Sequence, residues 1–267
     1  MRFARTFVLA FSCLFLVFPL FAQQTASTTT QSSPQALTLL QNSLAALTGG
    51  KSITDITLSG TARRIAGSDD ESGTATYKAI SGANRLDLSL SGGARSEIVN
   101  STAAPPAGSW SGPDGNSHPM SLHNLTNQAS ISPAFTLAAL TSLQSFIVTF
   151  VGQETKNGRS AYHLSASQQF PLLAGNDATL MQHLTQLDIF LDTSTLLPVG
   201  LYFSTHPDNN AGLDIPVELL FSDYRAVNGT QIPFRVQKFL NNSLLLDLQF
   251  QSATFNSGLS AATFNAL

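Results

Sequence analysis

The sequence predicts a mainly β chain of the α+β class. The expected architecture is a single strongly curved antiparallel sheet forming an open half-barrel, with an N-terminal helix and short middle helices covering the concave face. Three observations lead there. First, residues 217–255 read as three strands in a row: Val217, Leu219 and Phe221, then Ile232, Phe234 and Val236, then Leu244, Leu246, Leu248 and Phe250 alternate with mostly polar neighbours. A period of two gives each strand one apolar and one wet face. Asn228-Gly229 and Asn241-Asn242 fall between the runs, and such residues tolerate the positive φ that tight hairpin turns require. Second, strand-like runs follow one another through short turns without strand–helix–strand crossovers, which makes the pairing antiparallel. Third, a helix with one narrow leucine stripe opens the domain and needs an apolar surface to lie on.

Taken in order, the chain starts with Arg2 and Arg5 ahead of an apolar run over 7–21, followed by a Gln/Thr/Ser tract. That order is the one signal processing needs, so residues 1–22 read as a secretory signal peptide cleaved after Ala22. The run is short for a membrane span of about 20 residues. Cys13, the one cysteine, lies inside it. The mature chain therefore carries no thiol, and neither a disulfide framework nor a cysteine-ligated metal is expected. Residues 23–32 form a flexible polar tether, and 33–267 a single domain large enough for a substantial core. Within it Ser33 is the helix N-cap, Pro34 the first helical residue and Gly49-Gly50 the stop. Leu37, Leu40, Leu44 and Leu47 repeat at three and four along this helix.

Early strands follow around Ile56, Leu58, Gly60 and Ala62, then Ala75, Tyr77 and Ala79, then Leu86, Leu88 and Leu90, with a shorter one over 95–100. Asp69, Asp70 and Glu71 read as a solvated hairpin turn. The stretch 101–124 holds Pro105-Pro106, Pro113, Gly115 and Pro119 and reads as an irregular loop. A helix is expected over 133–145, a strand over 146–151 returning at 160–165, a short helix within 172–184, and a hairpin from 186–192 to 199–205.

Three pieces of this second half carry a resemblance. FSDYRAVNGTQIPFRV (221–236) is similar to the penultimate hairpin of LolA-type proteins, the periplasmic carriers of bacterial lipoproteins. VGQETKNGRSAYHL (151–164) and LDIFLDTSTLLPVGLYF (187–203) fit the same pattern, in matching order over 146–264. The resemblance implies the half-barrel fold, export to the periplasm or cell envelope, and a concavity that shelters lipid. Its expected partners are a lipid or lipoprotein acyl chain and an envelope protein, bound by a monomer. Two departures stand out. The carriers of that family have an Arg-Pro pair after the second strand, whose Arg latches a lid; the stretch 77–85 lacks the pair, and Arg85 lies in the region without matching it. The Pro-rich segment 101–119 is the second departure.

Chemistry-bearing residues are sparse. His118, His123, His163, His183 and His206 form no His-x-x-x-His pair, and none is placed as in a zincin. His118 and His123, with Asp114, are the one loop grouping that could serve a metal or a hydrolase site, and their spacing matches no familiar ligand pattern. There is no Gly-x-Ser-x-Gly elbow and no phosphate-binding glycine loop. Charged residues make up only 11% of the chain, with a formal net charge of −3. No basic run is interleaved with aromatics, so nucleic acid is not an expected partner. No cofactor and no catalytic residue is assigned.

What remains is apolar surface. The chain has 18 Phe against 1 Trp and 4 Tyr, and an open half-barrel cannot fill its concavity from the sheet alone. Either the helices fill it, leaving an envelope interaction or sensor module with a closed core, or a gap stays open for an apolar ligand. The inward-phase residues that would line such a gap are Phe150, Ile189, Leu191, Leu201, Phe203, Leu219, Phe221, Phe234, Leu246 and Leu248.

Overall fold

The alternation of residues 217–255 becomes the register of the sheet. In the computed structural model, which describes residues 31–127 and 129–266, Phe221 stands opposite Val236, Val236 opposite Leu248, and Leu248 opposite Ala62. Four strands thus set one apolar row side by side. They belong to a sheet of thirteen antiparallel strands: β1 (Asp55–Ala66), β2 (Asp69–Ile80), β3 (Ala83–Leu90), β4 (Gly93–Asn100), β5 (Ala107–Ser111), β6 (Ser117–Pro119), β7 (Phe146–Lys156), β8 (Arg159–Gln168), β9 (Leu187–Asp192), β10 (Pro198–Thr205), β11 (Ile215–Val227), β12 (Thr230–Leu240) and β13 (Ser243–Phe255). Neighbours are consecutive in sequence except for β1 and β13, which pair to join the first half to the second. The edges are β6 and β7, so the sheet curls without closing. The expected leader, and the tether up to residue 30, lie outside the described residues.

Among the described residues, three α-helices accompany the sheet: α1 (Pro34–Thr48), α2 (Pro133–Ser142) and α3 (Gly175–Leu184). The punctuation of α1 is as expected. Ser33 Oγ accepts from Ala36 N at 3.0 Å, and Gly49 ends the helix with φ 61° while its N–H reaches Ala45 O at 2.9 Å. A Cβ on Gly49 would lie 2.7 Å from Gly229 O, so this glycine also lets the helix end dock on the β11–β12 turn. The buried face differs slightly from the leucine stripe. Its centre runs through Ala36, Leu40, Ser43 and Leu47, and Leu44 packs at its flank. The helix also lies against α2, its most extensive neighbour.

Ahead of α1 the chain also treats a sheet edge. Val148 N donates to Ser32 Oγ at 3.0 Å, and Ser33 N donates to Val148 O at 2.8 Å. That satisfies backbone groups on edge strand β7 that would otherwise invite pairing with another chain.

Two local expectations are corrected. The segment 101–124 is not irregular throughout: β5 and β6 form a hairpin, with Trp110 opposite His118, and continue the sheet beyond β4. Its Pro113 and Gly115 belong to the turn between those strands, which closes with Gly115 N donating to Gly112 O at 3.0 Å. Asp69, Asp70 and Glu71 lie within β2 and not in the turn itself; Asp69 and Asp70 are solvated as expected, and Glu71 is buried. Strand alternation sends Asp70 outward to Arg63 and turns Glu71 toward the concave side.

Candidate functional site

The concave face is covered unevenly. Over one half, α1 and α2 press Leu40, Leu47, Leu137 and Leu140 into the apolar core, with α1 against β7 and β12, and these side chains are almost fully buried. Over the other half the cover is the segment 120–131, rich in Ser, Asn and Thr, with a 3-10 turn at Leu122–Leu125. Beneath it a cavity of about 480 Å³ remains, within the range of small-molecule sites.

The floor of this cavity is Leu86 and Leu88 of β3, Val217 and Leu219 of β11, Leu246 of β13 and Phe203 of β10. Its roof is tied down by hydrogen bonds more than by apolar packing. Tyr77, fully buried on the floor side, shares a 2.6 Å hydrogen bond with Ser130 Oγ. Asn124 donates to His206 O at 2.8 Å and accepts from His206 N at 2.9 Å. Ser121 Oγ donates to Asp208 Oδ1 at 2.7 Å, and Asn127 donates to Gln186 O at 2.9 Å. Water can replace each such bond at little net cost, whereas nothing in water replaces buried leucine contacts.

One end of the cavity is ionic. Glu71 accepts from Arg95 Nη2 at 2.7 and 3.0 Å and from Arg64 Nη1 at 3.3 Å. The hydrogen bond from Arg95 holds the Glu71 carboxyl below its ordinary range, against the opposing effect of desolvation. Gly92 passes so close that a Cβ there would lie 1.7 Å from Glu71 Oε1. Arg95 lines the cavity, and its Nε is buried with no hydrogen-bond acceptor among the described residues. Lys238 and Glu97, 3.6 Å apart, lie on the same wall. Arg85 points the other way, to the convex side, where its Nε reaches Asp87 at 2.8 Å.

Ten lining residues were expected from sequence. Phe203, Leu219 and Leu246 line this cavity. Ile189, Leu191, Leu201, Phe221, Phe234 and Leu248 sit in the packed core on the same face, and half-buried Phe150 packs at its edge beside Tyr162. The roof, Arg64, Arg95 and Glu71 were not foreseen. The alternation of β2 through Ala75, Tyr77 and Ala79, carried back to Glu71, was the signal that could have found that acid.

The histidines are redistributed too. His118 stacks on Trp110 with ring centroids 4.2 Å apart, and Asp114 is engaged by Asn116 at 2.6 Å. His163 meets Glu154 at 2.7 Å and stacks on Phe190. His123, in the roof, instead lies edge-on to His206 at 5.9 Å. His206 and His183 both turn to Asp214. Burial keeps His206 below the ordinary histidine value despite Asp214.

An antiparallel sheet that curls without closing, accompanied by helices, is an architecture that solved structures share. A domain from Vibrio parahaemolyticus, described as outer membrane lipoprotein-sorting, superposes with a TM-score of 0.53 at 13% identity over 86% of this chain and 96% of its own. A LolA superfamily protein from Nitrosomonas europaea gives 0.50 at 12% identity over 86% and 96%. The chain has the LolA fold. A DUF1329 family protein from Desulfovibrio piger shares it as well, with a TM-score of 0.54 at 10% identity over 88% and 98%. No family model matches the sequence, and no curated protein does either. Among the described residues of this LolA-fold chain, no helix is long and apolar enough to cross a membrane.

Proposed function

We propose that this protein is an exported, non-enzymatic binding protein of the periplasm or cell envelope. It shelters a lipid acyl chain, or another apolar ligand of similar shape, under the roof segment 120–131. One observation carries the reading: a cavity with an apolar floor of Leu86, Leu88, Val217, Leu219 and Leu246 that has the Arg95 guanidinium in its wall. An apolar slot with a few convergent polar groups suits an amphipathic ligand. Acyl groups lie on the floor, and a carboxylate or phosphate head lies at the polar end beside the Arg95 guanidinium. Export is expected from the leader at 1–22, so mature protein from the envelope fraction begins at Gln23 on N-terminal sequencing.

The test is native mass spectrometry of untagged protein from that fraction, paired with titration by a fluorescent fatty acid. Wild type is expected to carry or take up one apolar molecule. Arg95→Ala should weaken uptake, and Arg85→Ala, on the convex side, should not. A wild type that carries no lipid and binds no fatty acid overturns the reading.

A second reading draws on exposed leucines. Leu172, Leu173 and Leu180, on and just before α3, are at least 40% exposed, the kind of apolar surface that meets an envelope protein partner. Leu172→Asp would abolish such an association and leave fatty-acid uptake intact.

A further inference from the structure

Beside the roof, three side chains from separate parts of the chain converge on one point. His183 comes from the last turn of α3, His206 from just after β10, and Asp214 from just before β11. Nε2 of His183 and Nε2 of His206 approach the same atom, Asp214 Oδ1, at 2.9 and 3.0 Å. The three donor atoms lie within 4.8 Å of one another.

A tetrahedral ion held by nitrogen and oxygen at about 2.0–2.1 Å sets its donors roughly 3.3 Å apart. Two of the three separations are already near that spacing, and the third, between the two imidazoles, is within 4.8 Å. His183 and Asp214 have side chains 40% and 45% exposed, so both can turn by the small amount that centring an ion requires. His206, with a side chain only 1% exposed, is the fixed member. Its ring is wedged between the edges of His123 and His183, at 5.9 and 6.0 Å.

We propose that His183, His206 and Asp214 bind a divalent ion of the zinc class, with the remaining position open to water. Two imidazoles and one carboxylate are borderline donors that suit zinc, copper or nickel; magnesium and calcium prefer all-oxygen shells. The site joins α3 to both ends of the β10–β11 connection. It also touches the roof, because the backbone of His206 holds Asn124. The ion would stiffen the support of the roof whether or not the cavity holds lipid. A hydrogen-bonded His-Asp-His cluster is the competing account, and it predicts no metal effect.

The experiment uses untagged full-length mature protein, stripped with chelator and dialysed. Zinc chloride is titrated by calorimetry, and melting is followed with and without zinc. One equivalent of zinc should bind and raise the melting temperature, while magnesium chloride should do neither. His183→Ala and Asp214→Asn alter half-exposed side chains, so both should fold, and each should weaken zinc binding by at least about tenfold. His118→Ala, whose ring stacks on Trp110, should bind zinc as wild type does. The proposal is overturned if wild type shows no stoichiometric zinc binding, or if His183→Ala and Asp214→Asn bind zinc as tightly as wild type.

Discussion

The two halves of the concave face share one sheet, one strand phase and the same apolar residue types, yet one is packed and the other is hollow. What differs is the cover. On the packed half, α1 and α2 present Ala36, Leu40, Leu47, Leu137 and Leu140, a regular array of side chains at helical spacing that can interdigitate with the rows below. On the hollow half, the segment 120–131 spends its polar side chains on hydrogen bonds to neighbouring segments, as Asn124 does at His206 and Asn127 at Gln186. A cover anchored by such bonds spans the floor without filling it. The nature of the lid thus decides whether a curved sheet encloses a core or a cavity.

The sharpest way to break the comparison is at the centre of the packed half. Leu40 is fully buried, so Leu40→Asp adds an unpaired buried charge to the loss of an apolar contact. We expect a loss of more than about 4 kcal/mol, read from denaturant unfolding. Leu44 packs at the flank of the same helix, and Leu44→Asp should be clearly milder. Equal effects would mean that α1 does not lie on the face assigned to it.

Phe221→Ala comes next. Phe221 is 3% exposed within the main core, and its truncation should remove about 3–5 kcal/mol because the surrounding strands cannot collapse into the space. Uptake of a fluorescent fatty acid, measured well below the melting transition, should be unchanged. A selective loss of uptake would extend the cavity into the packed half and blur the boundary between the two.

The ionic end gives a smaller effect with a pH signature. Glu71→Gln removes the carboxylate held by Arg95 and Arg64 and should lower the melting temperature less than either packed-half variant. The Glu71 pKa is depressed in the folded state from its ordinary 4.5, chiefly by the Arg95 hydrogen bond. Its contribution is therefore complete above the unfolded pKa and is lost as pH falls through the folded one. The difference in melting temperature between wild type and Glu71→Gln should be constant above about pH 5 and shrink as the pH falls below about 4.5. A difference that persists unchanged at pH 3 would mean the carboxylate is not what Arg95 recognises.

Much of the packed half was legible in the sequence. Alternation in residues 217–255 and the caps of α1 are local signals, and each was set by its own stretch of chain. The hollow half was not legible, for physical reasons. The roof is held by Asn and Ser side chains reaching partners 53 to 87 positions away, as Asn124 does at His206, and nothing in the local pattern marks such partners. Glu71 sits among acids that read as a turn until the register of β2 is known. His183 and His206 reach Asp214 from 31 and 8 positions away, separations that no ligand motif encodes.

The smallest effect on stability is the most informative about binding. Of Phe203, Phe221 and Phe234, all on the concave phase, Phe203 alone lines the cavity and is left half-buried. A ring that faces empty space on one side has fewer contacts to lose. Phe203→Ala should therefore destabilise the protein by only about 1 kcal/mol, well below the ordinary cost for a packed phenylalanine. The same truncation removes apolar surface from the slot, and fatty-acid affinity should fall about tenfold, equivalent to about 1.4 kcal/mol. Phe221→Ala should show the reverse, a large stability loss with binding retained. The two variants together form a crossed test in which stability and binding respond to different halves of one sheet. If Phe203→Ala proved as destabilising as Phe221→Ala and left binding untouched, the space beside Phe203 would be part of the core, and the distinction between filled and hollow halves would fall with it.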